Sequence, residues 1–315
     1  MSDAEARSLA LGAMKHSPMR WTLVSSLAWA ALTGCLAIDK ALGNRIDLND
    51  KQVTFLALSS PGNDSICPGE QVPLVVTATL ASGEKLQTEG VGGGKVIWSS
   101  FIVKTRGAHF APEGLLTADE DPRETIAWPV HVTARLGYRG PVAEMDLPLT
   151  YACNYVANFN GSAGDDGQDG ANGDDAPGQN GSRGDDGGHG EQVQVAVSFV
   201  PGPKPGNSLL SVFVRGARKQ RLYYIDPTHS SLLLRANGGD GGDGGSGGLG
   251  WSGDKPSNGA YGDGGNGGNG GRFIVHVSPE AAGYMNCIHF ENRGGHGGKG
   301  WTRGTDGRPG PPPFF

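Results

Sequence analysis

Apolar and polar residues alternate along residues 47–155, which is the pattern of half-buried β-strands. In the clearest run, one face carries Leu74, Val76, Ala78 and Leu80. The opposite face of that run carries Val75, Thr77 and Thr79. Runs of this kind predict strands at 53–58, 74–80, 95–99, 130–136 and 145–151. Because turn segments rich in glycine and proline separate them, the spacing predicts a β-sandwich over residues 47–155.

After residue 155 the spacing of glycine replaces this alternation. Glycine blocks cover 161–173, 178–190, 238–250, 259–271 and 294–310. Glycine occupies every third position in the first two blocks, and the repeat tightens to Gly-Gly-X in the next two. Short apolar runs between the blocks predict strands at 192–200, 209–214, 221–225, 231–235, 273–277 and 286–290. The chain is therefore predicted to be all-β, with a glycine-rich repeat domain at 156–315.

Three structures are compatible with the glycine blocks, since a period of three is typical of the polyproline II conformation. A collagen-like triple helix needs proline for stiffness, and plain disorder suits a chain that buries little apolar area. In a bundle of polyglycine II helices, bare faces pack together while X residues such as Asp243 and Asn266 point to solvent. Gly-Gly-X favours the bundle. The blocks resemble, in repeat only, the glycine-rich bundles of phage tail-tip adhesins and of an arthropod antifreeze protein.

Three stretches of the first half carry a resemblance to bacterial immunoglobulin-like domains of surface proteins. They are Cys-Pro-Gly-Glu-Gln-Val-Pro-Leu-Val-Val-Thr-Ala-Thr-Leu at 67–80, Val-Ile-Trp-Ser-Ser at 96–100 and Gly-Leu-Leu-Thr-Ala at 114–118. The sequence departs from that family at 102–112 and 119–124. The resemblance implies that Trp98 packs in the core of an immunoglobulin-like β-sandwich. The alternative is an exposed Trp98 that stacks on a ligand.

The same resemblance implies a disulfide. In an immunoglobulin-like sandwich, Cys67 before the second strand and Cys153 after the last would lie at the same end, on opposite sheets. Disulfides persist in exported proteins. In the chain-entropy model, a disulfide that closes a loop of this length stabilises the folded protein strongly, because it restricts the unfolded chain. The alternative is two free or mispaired thiols. Cys287 is then left over, and its apolar neighbours predict a small buried residue.

The N-terminus has the order of an export signal. Lys15 and Arg20 precede an apolar stretch at 21–32 that is too short to span a bilayer comfortably. The stretch ends in Leu32-Thr33-Gly34-Cys35, which resembles the lipobox of bacterial lipoproteins. The resemblance implies a signal peptide at 1–34, a lipidated (palmitate-type) Cys35 and a tether at 35–46. Two alternatives stay open: an ordinary secretory signal, and a start at Met14 rather than Met1.

Charge and motifs exclude several classes of function. The formal net charge is −6, which argues against a nucleic-acid partner. Carboxylates such as Asp165 and Asp166 lack the alternating ligands of an EF-hand loop, so a solvated polar face is expected rather than a calcium site. No Gly-x-Ser-x-Gly elbow lies between a strand and a helix, and no pair of histidines has metal-ligand spacing such as His-x3-His. The prediction is a non-enzymatic protein without metal or cofactor.

These observations predict an exported lipoprotein, anchored to a bacterial membrane (the outer membrane or cell surface), that acts as a binding or adhesion module. Its partners would be the membrane, through the lipid, and a surface glycan or protein. A ligand could stack on aromatic residues in or beside the glycine blocks, namely Trp251, Tyr261, Trp301, Phe314 and Phe315. Those residues could instead cap the ends of the bundle. The alternative function is a structural spacer of the envelope or extracellular matrix, without a specific ligand.

Overall fold

The computed structural model describes residues 45–203 and 206–315, so the signal segment and Cys35 lie outside the described residues. The strands are β1 (Val53–Ser59), β2 (Gln71–Pro73), β3 (Val75–Leu80), β4 (Lys85–Gln87), β5 (Phe101–Arg106), β6 (Ala108–Ala111), β7 (Leu115–Ala118), β8 (Val130–Leu136), β9 (Val142–Leu147), β10 (Asn154–Asn158), β11 (Gln192–Pro201), β12 (Ser208–Arg215), β13 (Gln220–Ile225), β14 (Ser231–Arg235), β15 (Trp251–Ser252), β16 (Lys255–Pro256), β17 (Arg272–Val277) and β18 (Ile288–Glu291). Within the described residues, helical structure is confined to α1 (Pro122–Thr125) and to 3-10 helices at Leu48–Asp50, Trp98–Ser100 and Pro279–Cys287. The all-β prediction is confirmed.

Strands β1 to β9 surround one hydrophobic core. They form three sheets of three strands each, in the orders β1-β3-β4, β2-β7-β6 and β5-β8-β9. The predicted buried face of the run at 74–80 is confirmed for Leu74, Val76 and Ala78, which are all buried. Trp98 lies in this core at 4% exposure, with its ring 5.1 Å from that of Phe110. Trp98 is therefore a packing residue, and an exposed ligand-stacking role is excluded.

Two strand predictions in this half were wrong. At 95–99 the chain makes only isolated bridges at Val96 and then a 3-10 turn, and the strand begins at Phe101. The turn forms because the Ser100 hydroxyl oxygen accepts a hydrogen bond from the backbone N–H of Leu48 at 3.1 Å. At 145–151 the strand lies earlier and ends at Leu147. It ends there because the next residue, Pro148, has no N–H to continue the ladder.

A second core lies between two sheets formed by the strands of the other half. One sheet is parallel, in the order β10-β14-β18, and the other has the order β13-β12-β11-β17. Fully buried side chains from both sheets, such as Leu232 and Phe273, meet in this core. Strands β11 to β14 and β17 agree closely with the sequence predictions. Strand β10 was not predicted, because its five residues pair in parallel with a distant strand and leave little local pattern.

Each sheet of the second core continues directly into glycine-rich chain. We name six glycine segments in chain order: segment 1 (161–173), segment 2 (178–190), segment 3 (238–250), segment 4 (259–271), segment 5 (294–300) and segment 6 (304–310). Strands β10, β14 and β18 run into segments 1, 3 and 5. Segments 2 and 4 run into β11 and β17, and segment 6 leads to Phe314, which bridges β17 at Ile274. The sheets thus set the order of the segments.

The predicted disulfide joins Cys67 to Cys153, with Cα atoms 6.2 Å apart. It lies where the two cores meet. The backbone N–H of Cys153 donates to the Ser230 hydroxyl, and the N–H of Asp226 donates to the carbonyl oxygen of Tyr151. The third cysteine of the described residues, Cys287, is free and buried, as predicted. The disulfide therefore ties the first half to the loop that precedes β14.

Candidate functional site

The glycine segments are held to one another by backbone hydrogen bonds in two sets. Segments 1, 3 and 5 run parallel, as when the N–H of Gly164 donates to Asp240 O at 2.8 Å and that of Gly241 donates to His296 O at 2.8 Å. Segments 2, 4 and 6 are linked in the same way. Bonds between the two sets are antiparallel, as from Gly242 N to Asp185 O at 2.9 Å. The connectivity describes a two-layer stack with three segments in each layer.

Glycine is required in this stack because the backbones approach too closely for a side chain. A Cβ added at Gly242 would lie closer than 3.0 Å to the carbonyl oxygen of Asp165, and one at Gly268 would meet Gly188 O in the same way. Real Cβ atoms essentially never approach that closely. In each three-residue repeat, the position that faces the neighbouring segment therefore has room for glycine only.

The polar X residues do more than face solvent. The Asp166 carboxylate accepts a hydrogen bond from the backbone N–H of Asp243 at 2.7 Å, and the Asn266 side chain accepts one from Thr305 N at 2.9 Å. The same bond recurs along both layers. Acceptors of this kind include Asn160, Asp169, Asn172, Asn180, Asp186, Asn237, Asp240, Asp243, Asp263 and Asn269. Most of these residues are exposed to solvent, as expected, but the expectation was incomplete, because aspartate and asparagine also satisfy backbone donors of the neighbouring segment.

Substitution at one X residue tests this role. Asp240→Ala is expected to lower the free energy of unfolding by about 0.5 to 1.5 kcal/mol, because the N–H of His296, now 2.6 Å from its carboxylate, loses its protein acceptor. Asp240→Asn keeps an acceptor oxygen and is expected to cost less than half as much. Urea unfolding of both variants measures the difference. Equal losses in the two variants would show that charge, rather than the hydrogen bond, matters at this position.

Acid should destabilise the stack. Hydrogen bonds lower the pKa of three carboxyls: Asp186 through the backbone N–H of Asn266, Asp263 through the hydroxyl of Thr302, and Asp306 through the N–H of Gly297. Their contribution to stability is present above the pKa of an unfolded aspartate, about 4, and is lost as the pH falls through the lowered folded values.

The midpoint of thermal unfolding is therefore expected to change little above about pH 5 and to fall below about pH 4. Circular dichroism from pH 7 to pH 2 measures it. A variant that combines Asp186→Asn, Asp263→Asn and Asp306→Asn should show a smaller drop. A midpoint that rises on acidification would contradict the assignment.

The end of the stack farthest from the two cores carries three turns and several exposed apolar side chains. The turn after segment 1 and the β15–β16 hairpin after segment 3 are joined there by the bond from Trp251 N to Ala176 O at 3.0 Å, and the turn after segment 5 lies against segment 4 through the bond from Trp301 N to Gly262 O at 2.9 Å. We call this region the distal end. Leu249, Trp251, Tyr261 and Trp301 lie there with exposed side chains. Phe314 and Phe315 lie at the opposite end, beside β17 and Phe290, so the predicted aromatic residues divide into two groups.

An open pocket of about 430 Å³ lies at the distal end. Its lining includes Tyr261, Trp301, Lys299 and Asp243. Trp301 is held by a bond from its N–H to Gly262 O at 2.9 Å, and the N–H of Lys299 donates to the Asp243 carboxylate at 2.7 Å. The Trp301 side chain is 73% exposed and that of Tyr261 is 60% exposed. The pocket thus presents two aromatic rings, an ammonium and a carboxylate on an anchored backbone.

Two other features that bear on function are clusters of metal ligands and membrane-spanning helices. Within residues 45–203 and 206–315, no group of three or more histidine, cysteine, aspartate or glutamate side chains is arranged to hold a metal ion. In the same ranges no helix has the length and apolar character needed to cross a bilayer. The pocket itself could not be predicted from the sequence, because Asp243, Tyr261 and Trp301 come from three separate segments. Only the presence of aromatic residues beside the glycine blocks pointed to it.

The chain was compared with protein-family models, with curated proteins and with solved structures, and none of them matched it.

Proposed function

We propose that this protein is an exported, lipid-anchored surface protein that acts as a non-enzymatic binding or adhesion module through its distal end. The observation that carries the proposal is the exposure of three large aromatic residues at that end, Trp251, Tyr261 and Trp301, of which Tyr261 and Trp301 line one pocket. Exposed loops on a rigid scaffold are the usual place for binding residues. Large exposed aromatics in a polar, glycine-rich surface otherwise have no packing role to explain them.

The architecture proposed for this function has two parts. Residues 47–155 form an immunoglobulin-like stalk, which the nine strands around one core and the buried Trp98 support. The six glycine segments form a polyglycine II bundle. The recurrent bonds from glycine N–H groups to carbonyls of neighbouring segments support it, because a polyproline II backbone makes no internal hydrogen bonds and can pair only with other segments.

The order along the chain supports a binding end that points away from the membrane. Cys35 would hold the lipid, the first core follows it, and strands β10, β14 and β18 then lead outward into segments 1, 3 and 5. The disulfide suits an oxidising compartment. A structural spacer of the envelope or extracellular matrix is the alternative function, and it predicts that the distal aromatics are dispensable.

Adhesion of the producing cells tests the proposal. Cells displaying the full chain would be passed over glass coated with bacterial surface polysaccharide or with bacterial surface protein, and the cells retained under flow would be counted. The number of retained cells should be at least tenfold lower for the variant Trp251→Ala/Tyr261→Ala/Trp301→Ala than for wild type. Display would be matched by antibody labelling, and Trp128→Ala/Tyr138→Ala, which removes exposed aromatics of the first half, is the control. Retention that is equal in all variants would favour the spacer.

The lipid anchor has its own test. Cys35→Ser is expected to abolish incorporation of labelled palmitate and to release the protein from the membrane fraction, because the lipid would be attached to that thiol. Wild type and variant would be labelled in a bacterial host and compared after fractionation. Equal labelling of both would contradict lipidation at Cys35.

A further inference from the structure

We propose that the distal pocket lined by Tyr261, Trp301, Lys299 and Asp243 binds a saccharide through one hexopyranose unit. This inference rests on the proposed binding function and specifies its ligand. The pocket has a volume of about 430 Å³, within the range of small-ligand sites, and it is open to solvent. Four features support a saccharide: a step in the stack, an unused backbone donor at Tyr261, an aromatic pair and a charged pair.

The step arises because segments 5 and 6 end before segments 3 and 4 do. Along segment 3, the N–H groups of Gly238, Gly241 and Gly244 donate in turn to carbonyls of residues 293, 296 and 299. Along segment 4, Gly264, Gly267 and Gly270 donate to carbonyls of residues 302, 305 and 308. The turn at Trp301 ends both series of acceptors. Beyond it, the flanks of segments 3 and 4 that would otherwise be covered remain open.

The next donors of these two series are Gly247 N–H on segment 3 and Tyr261 N–H on segment 4. Neither donates a hydrogen bond to any residue within 45–203 or 206–315, whereas the donors before them in register all do. Of these two residues Tyr261 lines the pocket, so its N–H is available to donate to an oxygen atom of a ligand bound there.

The aromatic pair favours a ligand with one flat apolar face. Trp301 follows the end of segment 5, and its backbone is bonded to Gly262, the residue next to Tyr261. The C–H face of a hexopyranose can pack on such rings while its hydroxyls reach polar groups at the edge. Aromatic side chains suit this dual contact, because each has a large apolar body.

The charged pair favours hydroxyls as the groups bound at the edge. The Asp243 carboxylate is held in place by Lys299 N, and a carboxylate accepts from more than one donor. The Lys299 side chain makes no ion pair with any described residue, so its ammonium can donate to sugar oxygens. An extended peptide would instead need a row of apolar side-chain pockets, and this site is a single pocket. A hexopyranose fits all four features together.

The pocket needs little rearrangement to bind. Its residues lie on segments 3, 4 and 5 and on the turn that follows segment 5, and these are joined by the bonds of Gly244 N to Lys299 O at 2.7 Å and of Trp301 N to Gly262 O at 2.9 Å. A site already held in one geometry loses less conformational entropy on binding. The affinity should therefore depend on the two ring contacts rather than on folding of the turns.

A saccharide array tests the inference with the full-length protein in detergent micelles. The array would carry neutral hexopyranose oligosaccharides, uronate-containing oligosaccharides and spots without sugar. We expect binding to at least one saccharide class. Trp301→Ala and Tyr261→Ala should each weaken that binding at least tenfold, because stacked aromatics often carry most of the binding energy. The matched controls Trp128→Ala and Tyr138→Ala, also exposed aromatics, should change it less than twofold.

Two further measurements make the result specific. Lys299→Met should weaken binding of uronate-containing saccharides more than that of neutral ones, because it removes a cation and leaves the backbone bonds in place. The thermal unfolding midpoints of the Trp301→Ala and Tyr261→Ala variants should match wild type, since both side chains are exposed. An array without saccharide binding would overturn the inference, as would binding that these two variants leave unchanged.

The outcomes separate this inference from the function on which it rests. If cells adhere to protein-coated glass through the distal aromatics while the array shows no binding, the adhesion function stands and the saccharide inference fails. If the array shows binding that depends on Trp301 while adhesion is unaffected by the triple variant, the saccharide site stands and the adhesion function fails.

Discussion

Gly242→Ala is expected to lower the free energy of unfolding by about 3 to 5 kcal/mol. The added Cβ would meet the carbonyl of Asp165, and backbone cannot move aside as a flexible side chain can. Gly242 also donates to Asp185 O and accepts from Gly265 N, so separating the segments sacrifices hydrogen bonds in both layers. Urea unfolding of the purified variant measures the loss.

Gly283→Ala is the matched control. Gly283 has nothing within 4 Å of an added Cβ, and its backbone does not adopt the left-handed conformation. The control is expected to change stability by less than about 0.5 kcal/mol, or to raise it slightly by reducing the entropy of the unfolded chain. Equal effects at Gly242 and Gly283 would contradict the close packing of the segments and favour a loosely ordered glycine-rich half.

Removal of the disulfide in Cys67→Ser/Cys153→Ser is expected to lower the free energy of unfolding by about 4 to 5 kcal/mol on the chain-entropy argument. The cross-link closes a loop with a sequence separation of 86 residues, which contains β2 to β9. Without it the unfolded chain gains conformational freedom. Because Cys153 also bonds to Ser230 in the second half, loss of the cross-link should loosen the contact between the two halves as well.

The measurement is chemical unfolding of the oxidised wild type and of the double variant. Cys287→Ser is the control for the chemistry of the substitution, because serine is close in size and can keep the bond to Tyr284 O. Cys287→Ser should cost less than about 2 kcal/mol. If peptide mapping of the exported protein finds Cys67 and Cys153 as free thiols, or if the double variant is as stable as wild type, the cross-link does not stabilise the native chain.

Local pattern predicted the strands best where one face of the strand is buried. Strands β11, β12 and β14 each alternate between buried and more exposed residues, as period-two patterning requires. The pattern misled at 95–99, where a side-chain hydrogen bond from Leu48 N to Ser100 Oγ stabilises a turn instead. It also missed β10, whose partner β14 lies more than 70 residues away in sequence. In both places a contact distant in sequence decides the local structure.

By itself, the sequence determined that the chain is all-β, that its second half repeats glycine every third residue, and that Cys67 and Cys153 suit a disulfide. The first two conclusions follow from side-chain size and periodicity, which are local properties, whereas the disulfide was implied by the resemblance to immunoglobulin-like domains. Tertiary structure alone decided that X residues such as Asp166 and Asn266 bond to neighbouring backbones, because partners such as Asp243 lie on another segment. It also decided which aromatics share the distal end. Segments 3, 4 and 5 are close only because the two sheets hold their ends side by side, and no local pattern records that register.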